Sequence, residues 1–186
     1  MRIFKYLLIS FLLFSCNHSV EQIIPNSTAP GSIPIADSST KSTAKIPYQQ
    51  LNISSVSKKE LVSYAKTLIG TPYKYASTDP LQGFDCSGFI TYVFNHFNVD
   101  VPRSSVDFTN VGKPIPVTNA TAGDLVLFTG TVDSIRVVGH MGIVTETIDT
   151  LKFIHATSGR ANGVTISTLY EHYQKRFVKV IRIFAD

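Results

Sequence analysis

Cysteine is scarce in this chain, with two residues in 186, Cys16 and Cys86. Long apolar runs are also missing. The run from Tyr6 to Phe14 falls well short of the ~20 apolar residues that a membrane-spanning helix needs, so no permanent span is expected from it. Nor is there an excess of charge of one sign. The formal charge of +4 includes Arg2 and Lys5; without those two it is +2, too small to argue for nucleic acid. There is no internal repeat, and the length argues against a second large domain. A hydrophobic share of 44% suits one domain with a genuine core plus some non-globular material.

The chain opens M-R-I-F-K-Y-L-L-I-S-F-L-L-F-S-C: two cations, a short apolar stretch, a small residue and Cys16. That is the layout of a secretory signal. The L-F-S-C step resembles the lipobox of bacterial lipoproteins, which implies cleavage before Cys16, lipidation of that residue and attachment to a membrane of the cell envelope. The alternative is ordinary cleavage nearby, with Cys16 an incidental thiol. Residues 17 to 48, rich in Ser, Thr and Pro, lack helical or strand periodicity. The expected organisation is therefore a signal peptide over 1–15, a lipidated flexible tether over 16–50 and one folded domain over 51–186. A tether of about 35 residues spans roughly 30 to 35 Å on average.

Order is expected near Ser57, where S-K-K-E offers a capping box ahead of Leu61, Val62, Ala65, Leu68 and Ile69 at helical spacing. A second helix is expected from about Cys86 to Phe97, with Phe89, Ile90, Val93, Phe94 and Phe97 as its apolar stripe. Four strand-like stretches follow, at 124–129, 140–146, 152–157 and 176–184. Helices first and strands afterwards predict an α+β fold with an antiparallel sheet packed on the early helices.

With Cys16 consumed by lipid, Cys86 has no disulfide partner in an exported, oxidising setting. It falls at the start of the second helix, where unpaired N–H groups and the helix dipole favour an anion, so an easily ionised, nucleophilic thiol is expected. A nucleophilic thiol needs a base and a group to orient that base. Of the five histidines, His18 lies in the tether, and His96 and His172 are expected in surface or capping roles. His140 and His155 each lie in a predicted strand among apolar residues. Two such histidines downstream of a helix-terminal cysteine suggest a Cys-His-His site. They do not suggest zinc, because no third and fourth ligands appear at short spacing.

Six blocks in order, G-T-P-Y-K-Y (70–75), D-C-S-G-F (85–89), V-P-R-S-S (101–105), A-G-D-L-V-L-F (122–128), G-H-M-G-I-V (139–144) and F-I-H-A (153–156), together resemble the NlpC-type cell-wall peptidases. These are papain-like cysteine peptidases, and the resemblance covers roughly residues 57 to 184. It implies Cys86 as nucleophile, His140 as general base, His155 as the residue that orients the base, and Tyr73 as an aid to oxyanion binding. Asp85 and Ser87 are expected to shape a substrate subsite, and Arg103 either joins them or is an ordinary surface arginine. Gly123-Asp124 is expected to make a turn with no catalytic part. Three departures stand out: Ala76-Ser77 where relatives often carry two glycines, Phe108 where a polar residue commonly follows the Pro-Arg block, and an insertion between Phe128 and His140, read as a surface loop or a substrate-shaping hairpin.

What the resemblance implies is cleavage of peptidoglycan stem peptides between γ-linked D-glutamate and the following diamino acid, with no cofactor or metal, by a monomer. An amidase or acyltransferase on the same fold, and a silent wall-peptide-binding lipoprotein, remain open as alternatives.

Overall fold

Ser57 caps the first helix as its spacing predicts, but the packed domain begins before it: Gln49 bridges to Val111, and Leu51, Ile53 and Val56 pack on the core. The Ser57 hydroxyl accepts from the Glu60 N–H at 3.2 Å while the Glu60 carboxylate accepts from the Ser57 N–H at 3.0 Å. This reciprocal cap satisfies two of the donors that a helix start leaves unpaired. The computed structural model describes residues 48–53, 56–132, 134–170 and 172–184. Cys16, His18, the signal and nearly all of the tether lie outside the described residues.

Helix α1 (Lys58–Thr67) buries Leu61, Val62 and Ala65, and the chain turns away at Gly70, whose φ of +90° suits a residue without a Cβ. Two short strands, β1 (Thr78–Asp79) and β2 (Gly83–Phe84), form a hairpin that leads directly into α2 (Cys86–Asn95). The expected stripe of α2 is the buried one: Phe89, Ile90, Val93 and Phe94 have no exposed surface.

A six-stranded antiparallel sheet follows. Its strands are β3 (Lys113–Ile115), β4 (Leu125–Thr129), β5 (Val138–Glu146), β6 (Lys152–Thr157), β7 (Gly163–Thr168) and β8 (Phe177–Arg182), in the spatial order β3-β8-β4-β5-β6-β7. The four expected strands are all present. The last is shorter than expected: it starts one residue late, because a helical turn, α3 (His172–Arg176), runs up to it, and it ends at Arg182, two residues early. The edge strands β3 and β7 were not expected. Proline at 114 weakens the strand signal of β3, whereas the alternating V-T-I-S-T of β7 carries a strand signal that was missed.

Both faces of the sheet are covered. Leu125, Leu127, Met141, Ile143 and Ile154 pack with α1 and α2 on one face. Val126, Phe128, Val144, Phe153 and Val180 form a second cluster on the other, with Tyr173 and Phe177 against it. Alternation along β4 and β6 feeds the two clusters in turn, as the pleat requires. Losing a ring such as Phe89 from the larger cluster costs about 3 to 5 kcal/mol.

Candidate active site

The hairpin ends at Asp85, and its side chain builds the start of α2. One carboxylate oxygen accepts from the Gly88 N–H at 2.6 Å and from the Ser87 hydroxyl at 3.2 Å. Gly88 has to be glycine, because a methyl group there would collide with the carbonyl of Ser77. The D-C-S-G block thus has a local logic: Asp caps, Cys is the first helical residue, and Gly lets the preceding loop close over the helix. Cys86 is partly exposed. Its Sγ lies 3.9 Å from the carbonyl of Gly139, the residue before His140.

Arg103 is not a free surface arginine. Its guanidinium grips Asp85 through both oxygens, at 3.1 and 2.6 Å, and donates to the Ser87 hydroxyl at 3.0 Å. A planar fork on a carboxylate is the geometry Arg provides and Lys does not. Asp85 and Ser87 are therefore both committed to Arg103 and the helix cap, and together they wall the cleft beside Cys86.

His140 on β5 and His155 on β6 are buried and touch: His140 Nε2 lies 2.8 Å from His155 Nδ1, with their rings nearly perpendicular. Gly142, on the strand that carries His140, makes room for this pair, since a Cβ there would come within 2.7 Å of Phe153 and 3.2 Å of the His155 Cβ. His155 Nε2 in turn lies 2.9 Å from Ser167 Oγ and 3.5 Å from the Tyr173 hydroxyl. A neutral imidazole has one donor and one acceptor nitrogen. With His140 Nε2–H donating to His155 Nδ1, His155 Nε2–H donates to Ser167, and His140 Nδ1 is left as an acceptor.

Electrostatics corrects one expectation. Backbone N–H groups of Ser87, Cys86 and Met141 do stabilise a thiolate, yet burial first and the neighbouring Asp85 charge second outweigh them, and the Cys86 thiol is pushed up from its ordinary value of 9.0. Burial pushes His140 well below 6.5, reinforced by His155, Arg176 and His172. His155 is brought down to about 3 by burial and by Arg176. Both shifts favour the neutral forms, a thiol on Cys86 and an imidazole on His140. Tyr73 is also raised, by its own burial, then by Cys86 and Asp85.

Three cavities run along this wall. A central one of about 240 Å³ is lined by Tyr73, Cys86 and His140. On one side Tyr73, Cys86 and Gly139 also line a cavity of about 500 Å³ that holds Asp85, Ser87 and Arg103. On the other side a third, of about 630 Å³, shares Thr131, Thr157, Ser158 and Arg176 with the central one. The structure therefore brings Tyr73, Asp85, Cys86, Ser87, Arg103 and His140 to one cleft, with His155 fully buried behind His140.

The remaining expectations resolve as follows. His96 caps α2 and stacks on Tyr64 at 3.6 Å between ring centroids. His172 is exposed at the start of α3, as expected, and there it also lines the third cavity and meets Arg176 at 3.1 Å. Asp124 is fully buried in an ion pair with Arg182 and caps the turn at Thr121, a structural role. The β4–β5 insertion exposes Val132, Ile135 and Val137, and is pinned by Arg136 to the carbonyls of Lys175 and Phe177. Ser167, Tyr173 and Arg176 were missed by sequence reasoning.

The NlpC/P60 family profile matches residues 70–182, most of the ordered domain. The chain belongs to the NlpC/P60 family. It is 36% identical over 125 residues to the Gamma-DL-glutamyl hydrolase of Bacillus subtilis, covering 67% of this chain and 29% of that protein. It is 28% identical over 182 residues to the Murein DD-endopeptidase MepS/Murein LD-carboxypeptidase of Escherichia coli, covering 95% and 89%. Among solved structures, an NlpC/P60 family protein from Bacillus cereus superposes with a TM-score of 0.59 at 26% identity, over 74% of this chain and 41% of that one. The chain thus spans less than a third of the Bacillus subtilis relative. NlpC/P60 membership fits the α+β, papain-like architecture found here.

Proposed function

We propose that this chain is a thiol peptidase that cuts the stem peptides of bacterial peptidoglycan, with Cys86 as nucleophile, His140 as general base and His155 orienting the base. The observation that carries the reading is the His140–His155 contact of 2.8 Å behind a thiol at a helix start. Nucleophile, base and orienting group in one chain are the parts that acyl transfer to a thiol requires.

With the neutral thiol and imidazole favoured, the charges arise during attack. Sγ adds to the amide carbonyl carbon as its proton passes to His140 Nδ1. The oxyanion is received by the Cys86 N–H and Tyr73, and such a donor contributes about 3 to 4 kcal/mol. Collapse breaks the C–N bond, and His140 returns the proton to the leaving amine. Water, deprotonated by His140, then hydrolyses the thioester and restores the thiol.

The bond we assign is that between γ-linked D-glutamate and the following diamino acid, supported by similarity to a protein named for γ-DL-glutamyl hydrolysis. A second reading, a cut in the D,D cross-link, is favoured by the nearly full-length similarity to a DD-endopeptidase. The same proposal extends to the N-terminus: the signal over 1–15 is removed, Cys16 carries lipid, and the tether to about residue 50 holds a monomeric domain near an envelope membrane.

The test is to incubate the chain and its Cys86→Ala variant with defined tripeptide, tetrapeptide and cross-linked muropeptides and to identify products by mass spectrometry. Cleavage after γ-D-glutamate by the parent alone is the expected result. A cut only at cross-links selects the second reading. A cut between glycan and peptide, or a moved acyl group, selects amidase or transferase chemistry. No product from a folded parent points to a binding role.

A further inference from the structure

The cleft continues past His140 into the third cavity, and its charge differs from that of the cavity on the far side of Cys86. There Asp85 and Arg103 neutralise one another. In the third cavity the charged groups are Arg160 and Arg176, and no acidic side chain of the described residues lines it. Arg176 is largely committed, donating to the carbonyls of Thr129 and Gly130 and to His172 Nε2. Arg160 is exposed and has no ion-pair partner among the described residues.

Chemistry sets the direction in which a substrate lies. His140 hands its proton to the leaving amine, so the leaving group lies on the His140 side of the thiol. Cys86 and His140 both line the central cavity, whereas the Asp85–Arg103 cavity contains Cys86 without His140. The acyl part therefore occupies the Asp85–Arg103 side, and the leaving group runs toward Arg160.

Resting on the acyl-transfer reading of Cys86 and His140, we propose that the third cavity is a carboxylate subsite for the leaving group, with Arg160 as the cation that receives it. The preferred substrate is then one whose leaving residue carries, besides the amine that is released, a free carboxylate. The loop bearing Arg160 is held in place for this. Asn162, at a φ of +44°, accepts from the Tyr73 N–H at 3.0 Å, which ties the β6–β7 connection to the segment lining the thiol's cavity. Ser158 and Thr165 add neutral hydroxyls. The field of Arg176 already disfavours protonation of both site histidines. A bound carboxylate offsets that field and strengthens His140 as a base when the right leaving group is present.

The carboxylate has two possible sources, the side chain of a diamino dicarboxylic residue or the terminal carboxyl of a leaving residue that ends the peptide. The experiment uses the full chain carrying Cys86→Ala, titrated with meso-diaminopimelate, its ε-amide and its α-amide, and followed by NMR shifts of residues 157–161. Expected is binding of the diacid that shifts those residues, weakens about tenfold when one carboxylate is amidated, weakens equally in Arg160→Ala, and recovers in Arg160→Lys. Weaker binding of the ε-amide assigns the side-chain carboxylate; weaker binding of the α-amide assigns the terminal one. Equal affinity for diacid and both amides, no shift at 157–161, or unchanged affinity in Arg160→Ala each overturn the assignment. Parallel digestion of intact stem peptide by the parent chain separates the two levels. Retained diacid binding without cleavage rejects the scissile-bond reading alone, and cleavage without carboxylate preference rejects the subsite alone.

Discussion

Ser167 Oγ lies 2.9 Å from His155 Nε2, so the row of hydrogen-bonded groups behind the thiol ends on a serine of the edge strand and not on the second histidine. Ser167 touches no reacting atom; its part is to hold the tautomer of His155 and through it that of His140. Ser167→Ala is expected to lower kcat about three- to tenfold, the cost of one modest hydrogen bond, with KM unchanged. Ser167→Thr should restore most of the rate. A loss confined to KM, or no recovery with threonine, would show that the serine merely fills space.

Burial of two neutral histidines has a signed consequence for stability. The unfolded chain binds protons near 6.5, whereas the folded chain refuses them at His155 until about 3 and at His140 until well below 6.5. The unfolded state thus holds more protons as pH drops, and stability is full above 6.5 and declines below it. Each such histidine removes about 1 kcal/mol between pH 6.5 and 5.5, and its slope approaches about 1.4 kcal/mol per pH unit only below that. Urea unfolding at pH 6.5 and 5.5 is expected to show a loss of about 2 kcal/mol in the parent and about half of that in His155→Gln, which keeps an amide for hydrogen bonding. An unchanged pH slope in the variant would refute the assignment.

Arg103 neutralises the carboxylate next to the nucleophile. Removing it leaves the Asp85 charge facing Cys86, which opposes thiolate formation further. Arg103→Ala is expected to slow alkylation of Cys86 by iodoacetamide about three- to tenfold, and Arg103→Lys to recover only part, since a point charge cannot replace a two-pronged grip. Equal alkylation rates in all three proteins would remove Arg103 from the electrostatics of the site.

Ala76 has a φ of +58°, in the left-handed region. A glycine there avoids a cost of about 1 kcal/mol, part of which returns as greater freedom of the unfolded chain. Ala76→Gly is expected to be neutral or stabilising by up to about 1 kcal/mol in thermal unfolding, where an alanine-to-glycine change inside a helix destabilises. A clear drop in Tm would mean that the methyl group makes a contact worth more than its strain.

Much of this was legible because it is local. The Ser57 capping box, the helix that starts at Cys86 and the alternating strands of His140 and His155 are written in short-range patterns, and the structure reproduces them. The parts that were not legible depend on register or on very short elements. Ser167 sits opposite Phe153, one diagonal step from His155, and reaches that histidine only because β6 and β7 pair with His155 across from Thr165. Tyr173 and Arg176 belong to a helix of five residues, too short to show periodicity. The upward shift of Cys86 was not legible for a related reason: the helix start is visible in sequence, but the depth of burial and the proximity of the Asp85 charge are properties of the packed cleft.

The sheet that carries this site is covered on both faces, and the two halves of the chemistry are rooted in different layers. Cys86 rides on a helix whose apolar side packs into the larger cluster, whereas the His140 ring leans on Phe128 and Tyr173 of the smaller one. Selection therefore has two nearly separate dials: substitutions beneath α2 adjust how closely the sulfur approaches its target, and substitutions beneath the histidines adjust how strongly the proton is held.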